Sequence, residues 1–179
     1  MVLNEMNRTL ALLEQQTLGQ PSGNIRLNGP GEFSSASSRL VQQARRDLQI
    51  LSYDLDPRLY DQISFVEAIK QLCLNSRQSQ VRILLQNNER VQKHGHRVLE
   101  LARRLPSRIA IGRPHPDYLH HRENFLLADR TGYIHRPLHS SYHGDVNFMD
   151  RLEAERLADF FSQVWGCSEA DTDLRRLDI

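Results

Sequence analysis

The order of apolar segments is the feature that most constrains this chain. Strand-like and helix-like stretches alternate through the first two thirds, and strand-like stretches cluster afterwards. Gln49-Ile50-Leu51-Ser52-Tyr53, Val81-Arg82-Ile83-Leu84-Leu85 and Arg108-Ile109-Ala110-Ile111-Gly112 are short runs rich in β-formers. Between them Phe65, Ile69, Leu72 and Cys73, then Val98, Leu101, Ala102 and Leu105, recur at helical spacing, and Pro106 ends the second helix. Phe125–Ala128 and Tyr133–Arg136 read as a hairpin around Thr131-Gly132, whereas residues 138–148 show no clear period. A closing helix spans about Asp150 to Trp165, with Leu157, Phe160, Phe161 and Val164 inward and Trp165 largely buried. This order predicts an α/β fold, a mixed sheet with helices on both faces.

Ahead of that pattern, Leu3, Met6, Leu10 and Leu13 draw one narrow apolar stripe along a helix over residues 3–16. Gly19-Gln20-Pro21-Ser22-Gly23 breaks it. A helix this short is marginal alone. Residues 1–33 therefore read as a helix-and-linker appendage that docks on the domain or on a partner. Within this stretch Asn24–Leu27 suits a short edge strand. The domain proper is expected over 34–179. Ser34 or Ser35 would cap its first helix, which carries Leu40, Val41, Ala44 and Leu48. Its tail, Leu174-Arg175-Arg176-Leu177-Asp178-Ile179, has enough apolar side chains to pack back.

A length of 179 residues suits one domain, and 25% charged with 39% hydrophobic residues is ordinary for a soluble protein. Net charge is +1, so no overall field draws the chain to DNA or acidic lipid, although local patches stay open. Cys73 and Cys167 lie outside any metal spacing, and Cys73 falls on an apolar helix face. The first residues lack the pattern of a secretory signal, and no apolar run is long enough to span a bilayer. The expectation is a soluble, cytoplasmic protein without membrane contact.

Arg122-Glu123-Asn124-Phe125-Leu126-Leu127-Ala128-Asp129 lies between the third strand region and Thr131-Gly132. With the elements over residues 34–168, this segment resembles one lobe of the phospholipase D superfamily, where the same place holds H-x-K-x-x-x-x-D. Phe161 and Trp165 of the closing helix also match a common family pattern. The resemblance implies a single phospholipase D-like lobe. It also implies chemistry in which a histidine attacks a phosphodiester, a second histidine protonates the leaving oxygen, and lysines steady the phosphate. Two motifs must face each other, so a single-lobe chain meets that need only as a homodimer. In this sequence Arg122 stands at the histidine position, Asn124 at the lysine position, and only Asp129 matches. A guanidinium donates only and has no lone pair to attack with, and Asn124 carries no charge. His121 is one residue early, and a one-residue slip would turn it to the other face unless a bulge intervenes. The family's G-S-x-N cluster is missing too. Ile134-His135-Arg136-Pro137 occupies its place, and Gly144-Asp145-Val146-Asn147 fits only loosely.

Six histidines, His115, His120, His121, His135, His139 and His143, fall between 115 and 143 without recognised metal spacing. Arg97, Arg103, Arg104 and Arg108 offer a basic helix end, with no aromatic platform for stacking bases. Asp54-Leu55-Asp56 and Asp171-Thr172-Asp173 suit capping better than acid/base work. No metal or cofactor is implied. The expected function is a non-catalytic phospholipase D-like module, accessory or regulatory to another enzyme. It would bind an anionic ligand or protein partner through Arg122, Asn124, Asp129, His120, His121, His135 and Arg136. One alternative is a dimeric phosphodiesterase or nuclease using His121. Another is weak nucleic-acid binding through Arg97, Arg103, Arg104 and Arg108.

Overall fold

The structure is a computed structural model and describes residues 2–171 and Leu174. Helix α1 (Val2–Glu14) precedes strand β1 (Ile25–Asn28) and helix α2 (Pro30–Gln43). Strand β2 (Asp47–Ser52) leads through α3 (Pro57–Tyr60) and α4 (Ile63–Asn75) to β3 (Gln80–Leu85). Helices α5 (Glu89–His94) and α6 (Arg97–Arg104) lead to β4 (Ile109–Arg113). After a 3-10 turn at Pro116–Tyr118 come β5 (Asn124–Ala128), β6 (Gly132–Arg136) and β7 (His143–Asn147). Helix α7 (Arg151–Gly166) and the two-residue β8 (Glu169–Ala170) follow.

The eight strands of the described residues form one sheet in the order β1-β7-β6-β5-β2-β3-β4-β8. Strands β2, β3 and β4 are parallel, and every other pairing is antiparallel. The sheet is therefore mixed. Parallel neighbours require crossovers, which α3–α4 and α5–α6 supply. On one face Leu48, Ile50, Ile83, Leu126 and Ile134 pack with Leu40, Phe65, Ile69 and Val98 of α2, α4 and α6. On the other, Leu51, Leu84, Phe125, Leu127 and Tyr133 pack with Leu157, Phe161 and Val164 of α7. Helices thus cover both faces, as the alternation predicts.

Several local expectations change. Helix α2 begins at Pro30 rather than at Ser34 or Ser35, because Gly29 takes φ 91° and places the proline in the first turn. It ends at Gln43, and Leu48 belongs to β2. The cause is Asp129, whose carboxylate accepts from the backbone N–H of Arg45 (2.8 Å), Arg46 (2.8 Å) and Asp47 (3.0 Å) and draws the chain out of the helix. A boundary between residues 33 and 34 falls inside α2, and β1 is hydrogen-bonded to β7 as the sheet edge. Leu13 of α1, 2% exposed, joins the core beside Leu27 and Phe33. Trp165 is half-buried, stacked on Phe161 at 5.7 Å, because the far end of α7 overhangs β4 near Gly112. In the tail Leu174 is buried, and the rest of its expected packing lies outside the described residues.

Candidate functional site

The chain enters β5 beside the point where it leaves β2, since Leu51 pairs with Phe125 in the antiparallel register. In a sheet of this kind the carboxyl ends of the parallel strands form the crevice where ligands bind. Tyr53 and Asp54 follow β2, Gln86 and Asn87 follow β3, and Asn124 and Arg136 pair across β5 and β6.

Asn124 is 2% exposed, and its Oδ1 accepts from the Tyr53 N–H at 3.2 Å. It bolts β5 to the loop after β2. Arg122 lies before the strand and is exposed, and its carbonyl accepts from the His139 N–H at 3.0 Å. The His139 ring stacks on Tyr53 at 4.1 Å. Burial lowers the His139 pKa, and Arg136 and Arg122 lower it further against the opposing Asp54. Arg136 is buried and spends its donors internally, Nε on the Ser141 carbonyl at 2.6 Å and a terminal nitrogen on the His139 carbonyl. Its guanidinium also lies over the Tyr142 ring at 4.6 Å, and the Tyr142 hydroxyl donates to Asp56. Arg136 therefore latches the 137–142 loop, and Arg90 pairs with Asp54 at 2.8 Å on the outer rim.

The other expected site residues lie elsewhere. Glu123, Phe125, Tyr133 and His135 alternate out of phase with Asn124 and Arg136, so they face α7. His135 Nε2 sits 3.1 Å from Glu123, whose neighbour Arg156 is paired with Glu153. The His121 ring lies tilted against Phe160 at 4.5 Å, with Nε2 shielded from solvent and without a hydrogen-bond partner. Burial holds the His121 pKa below its usual range, Glu123 opposes this, and Arg156 and His135 reinforce it. His120 is exposed. Asp129 stands at the far end of β5, about 17 Å away at the usual rise per strand residue, and its carboxylate is taken by three backbone N–H groups. It is a structural clamp and no part of this mouth. The structure brings together Arg122, Asn124 and Arg136. It leaves His121 and His135 on the opposite face and Asp129 at the opposite end. Tyr53, Asp56, His139 and Tyr142 join the mouth, Asp56 and His139 having shown in the sequence only as a member of a capping pair and one of the clustered histidines. Tyr53 and Tyr142 carry no sequence sign beyond their position just after β2 and inside the loop following β6.

Among the described residues no group of three or more His, Cys, Asp and Glu side chains is arranged to hold a metal ion. None of the described helices is long and apolar enough to cross a membrane.

This architecture defines a class, the phospholipase D-like α/β lobe. Nuc from Salmonella typhimurium, a phospholipase D family member, is similar with a TM-score of 0.57 at 13% identity, over 84% of this chain and 98% of that one. NucT from Helicobacter pylori is similar with a TM-score of 0.55 at 12% identity, over 82% and 98%. TrmBL2, an archaeal chromatin protein with a novel mode of DNA binding, gives 0.58 at 13% identity over 94% of this chain, which spans only 61% of TrmBL2. No curated protein matches the chain. Within the class, the chain belongs to the family described as Domain of unknown function (DUF7931), whose model matches residues 29–177.

Proposed function

We propose that this protein is a non-catalytic phospholipase D-like module that binds an anionic ligand or an acidic segment of a partner at the mouth beside Arg122. One observation carries the reading: the side chains nearest in sequence to the missing histidine and lysine are both withdrawn from the mouth. Asn124, in the place of the family's cation, is neutral, buried and bonded to the Tyr53 backbone. His121, adjacent to Arg122 in sequence, hides its Nε2 against the α7 side, and the His139 ring at the mouth lies flat on Tyr53. A nucleophile must reach the phosphorus, and a cation must meet the phosphoryl oxygens as charge spreads over them. His121 does not meet the first condition and Asn124 does not meet the second. Arg122 is exposed at the rim and can donate two parallel hydrogen bonds to a phosphate or carboxylate. The fold also occurs in TrmBL2, described by its DNA binding.

The purified protein is expected to leave bis(4-nitrophenyl) phosphate and single-stranded DNA unhydrolysed above background. Inorganic phosphate titrated into the isotope-labelled protein should shift the Arg122 and His139 resonances, and Arg122→Ala should remove that response. Turnover that His121→Ala abolishes would replace this reading with the phosphodiesterase one.

A further inference from the structure

The pole opposite the mouth carries a row of arginines that the near-neutral net charge conceals. Arg45 and Arg46 precede β2, Arg77 precedes β3, Arg108 precedes β4, Arg104 ends α6, and Arg130 sits in the turn after β5. Backbone bonds lock these segments side by side. The Gln80 N–H donates to the Arg46 carbonyl at 2.8 Å, the Val81 N–H to the Arg108 carbonyl at 2.8 Å, and the Asp129 N–H to the Asp47 carbonyl at 2.8 Å. Four neighbouring strand ends at about 4.8 Å spacing make a row about 15 Å long. Arg45, Arg46, Arg77, Arg104 and Arg130 are exposed.

Among the described residues, acidic side chains at this pole include Asp47, Asp129, Asp159 and Asp150, whose N–H donates to the Thr131 carbonyl at 3.2 Å and whose carboxylate caps α7. Asp129 is saturated by backbone donors, Asp159 meets Arg130 at 3.6 Å in a surface pair, and Asp47 is half-buried. The C-termini of α2, α4 and α6 also end here, and cations suit helix C-termini. That accounts for some positive charge but leaves the donors unused. Among the described residues, the side chains of Arg45, Arg46, Arg77, Arg104 and Arg108 have neither a hydrogen-bonded carbonyl nor a carboxylate partner. The basic helix read from the sequence is divided by this geometry. Arg97 is tied to Asp61 at the mouth end of α6, while Arg104 and Arg108 join the far row.

We infer that this row is a second binding surface, independent of the mouth, for the phosphate backbone of double-stranded nucleic acid. Each strand of duplex DNA carries one phosphate per about 3.4 Å of helix axis, so a row lying along the axis passes roughly four on one strand. No exposed aromatic side chain of the described residues lies at this pole to stack an unpaired base. This favours a duplex, whose bases are already stacked. Among the described residues, the exposed large apolar side chains near this pole are scattered, Leu74 at the end of α4 and Leu152 at the start of α7, too little to anchor on a bilayer.

The test is fluorescence anisotropy of a labelled 20-base-pair duplex with the full chain across a salt series. Wild type should bind at about 50 mM salt regardless of base sequence, with affinity falling steeply as salt rises. The combined Arg46→Ala, Arg77→Ala and Arg104→Ala variant should bind more than roughly tenfold more weakly. Its log–log salt slope should be shallower by about 2.7 for the three lost contacts. The same positions changed to lysine should retain most of the affinity, and Arg122→Ala should bind like wild type. No binding by wild type, or equal binding by the alanine variant, overturns the inference. So does a loss in Arg122→Ala as large as in the triple variant, which would move polyanion binding to the mouth. Binding to phosphatidylserine vesicles without duplex binding would make the row a membrane contact instead.

Discussion

Asp129 keeps the aspartate of a catalytic signature and uses it for architecture. Asp129→Ala leaves three backbone N–H groups of residues 45–47 without their charged acceptor, and bonds to charged groups contribute about 1.5–3 kcal/mol each at most. A loss of about 3 kcal/mol in denaturant unfolding is expected. Asp129→Asn should cost less, since it keeps one acceptor oxygen and tolerates the φ of 52° found there. Equal losses would mean that charge alone matters at this position. The aspartate's place was legible from spacing, but its partners were not, because Arg45–Asp47 are distant in sequence and offer only backbone. Acid sensitivity also belongs to single residues. His96 is buried, its Nδ1 accepts from the Val98 N–H at 3.2 Å to cap α6, and burial lowers its pKa against the opposing Asp61, while Arg97 and Arg90 lower it further. His121 and His139 are lowered as well, each chiefly by burial. A group with a depressed folded pKa binds fewer protons folded than unfolded. Stability is therefore full above the unfolded histidine value of about 6.5 and is lost as pH falls from there through the folded values. The melting temperature should drop between pH 7.5 and 5.5. In His96→Asn, which can still cap, that drop should shrink. A wild-type melting temperature that holds steady or rises over this interval would contradict the shift.

At the scale of elements, the strands that announced themselves are the ones buried on both sides. β2, β3 and β5 are runs of apolar residues because each has neighbours left and right and helices above and below. β7 stayed hidden because His143-Gly144-Asp145-Val146-Asn147 has a single apolar β-former. Its strand character comes from pairing with β1 and β6. Gly144 is obligatory there, since a Cβ would lie 2.1 Å from the His135 carbonyl oxygen. α3 and α5 are single turns or little more, too short to show a period. α7 was readable because Leu157, Phe161 and Val164 repeat at helical spacing, and all three are buried. Phe161 is fully buried against Phe125, so Phe161→Ala should cost about 3–5 kcal/mol. A cost below about 1 kcal/mol in urea unfolding would mean that α7 is not the cover of this face.

For the whole molecule, the open matter is whether α1 is an appendage or part of the folding unit. α1 and α7 lie on opposite faces of one sheet, in two separate hydrophobic clusters, with the strands between them contributing to both. Leu13 is 2% exposed, and Arg39 donates to the carbonyls of Glu14 and Gln16, each at 3.0 Å. Leu10 packs against the same cluster but is only partly buried. A shared sheet transmits the loss of either face to the other, which favours one all-or-none transition. Trp165 reports on the α7 face and far-UV circular dichroism on every helix. The two probes should give coincident urea curves in wild type, in Leu13→Ala and in Phe161→Ala, with Leu13→Ala losing about 2–4 kcal/mol and Leu10→Ala less. An early circular-dichroism phase that Leu13→Ala enlarges while the tryptophan curve stays fixed would show α1 melting by itself. In that case residues before β1 are an addition to the domain, and their apolar stripe is free to serve a partner.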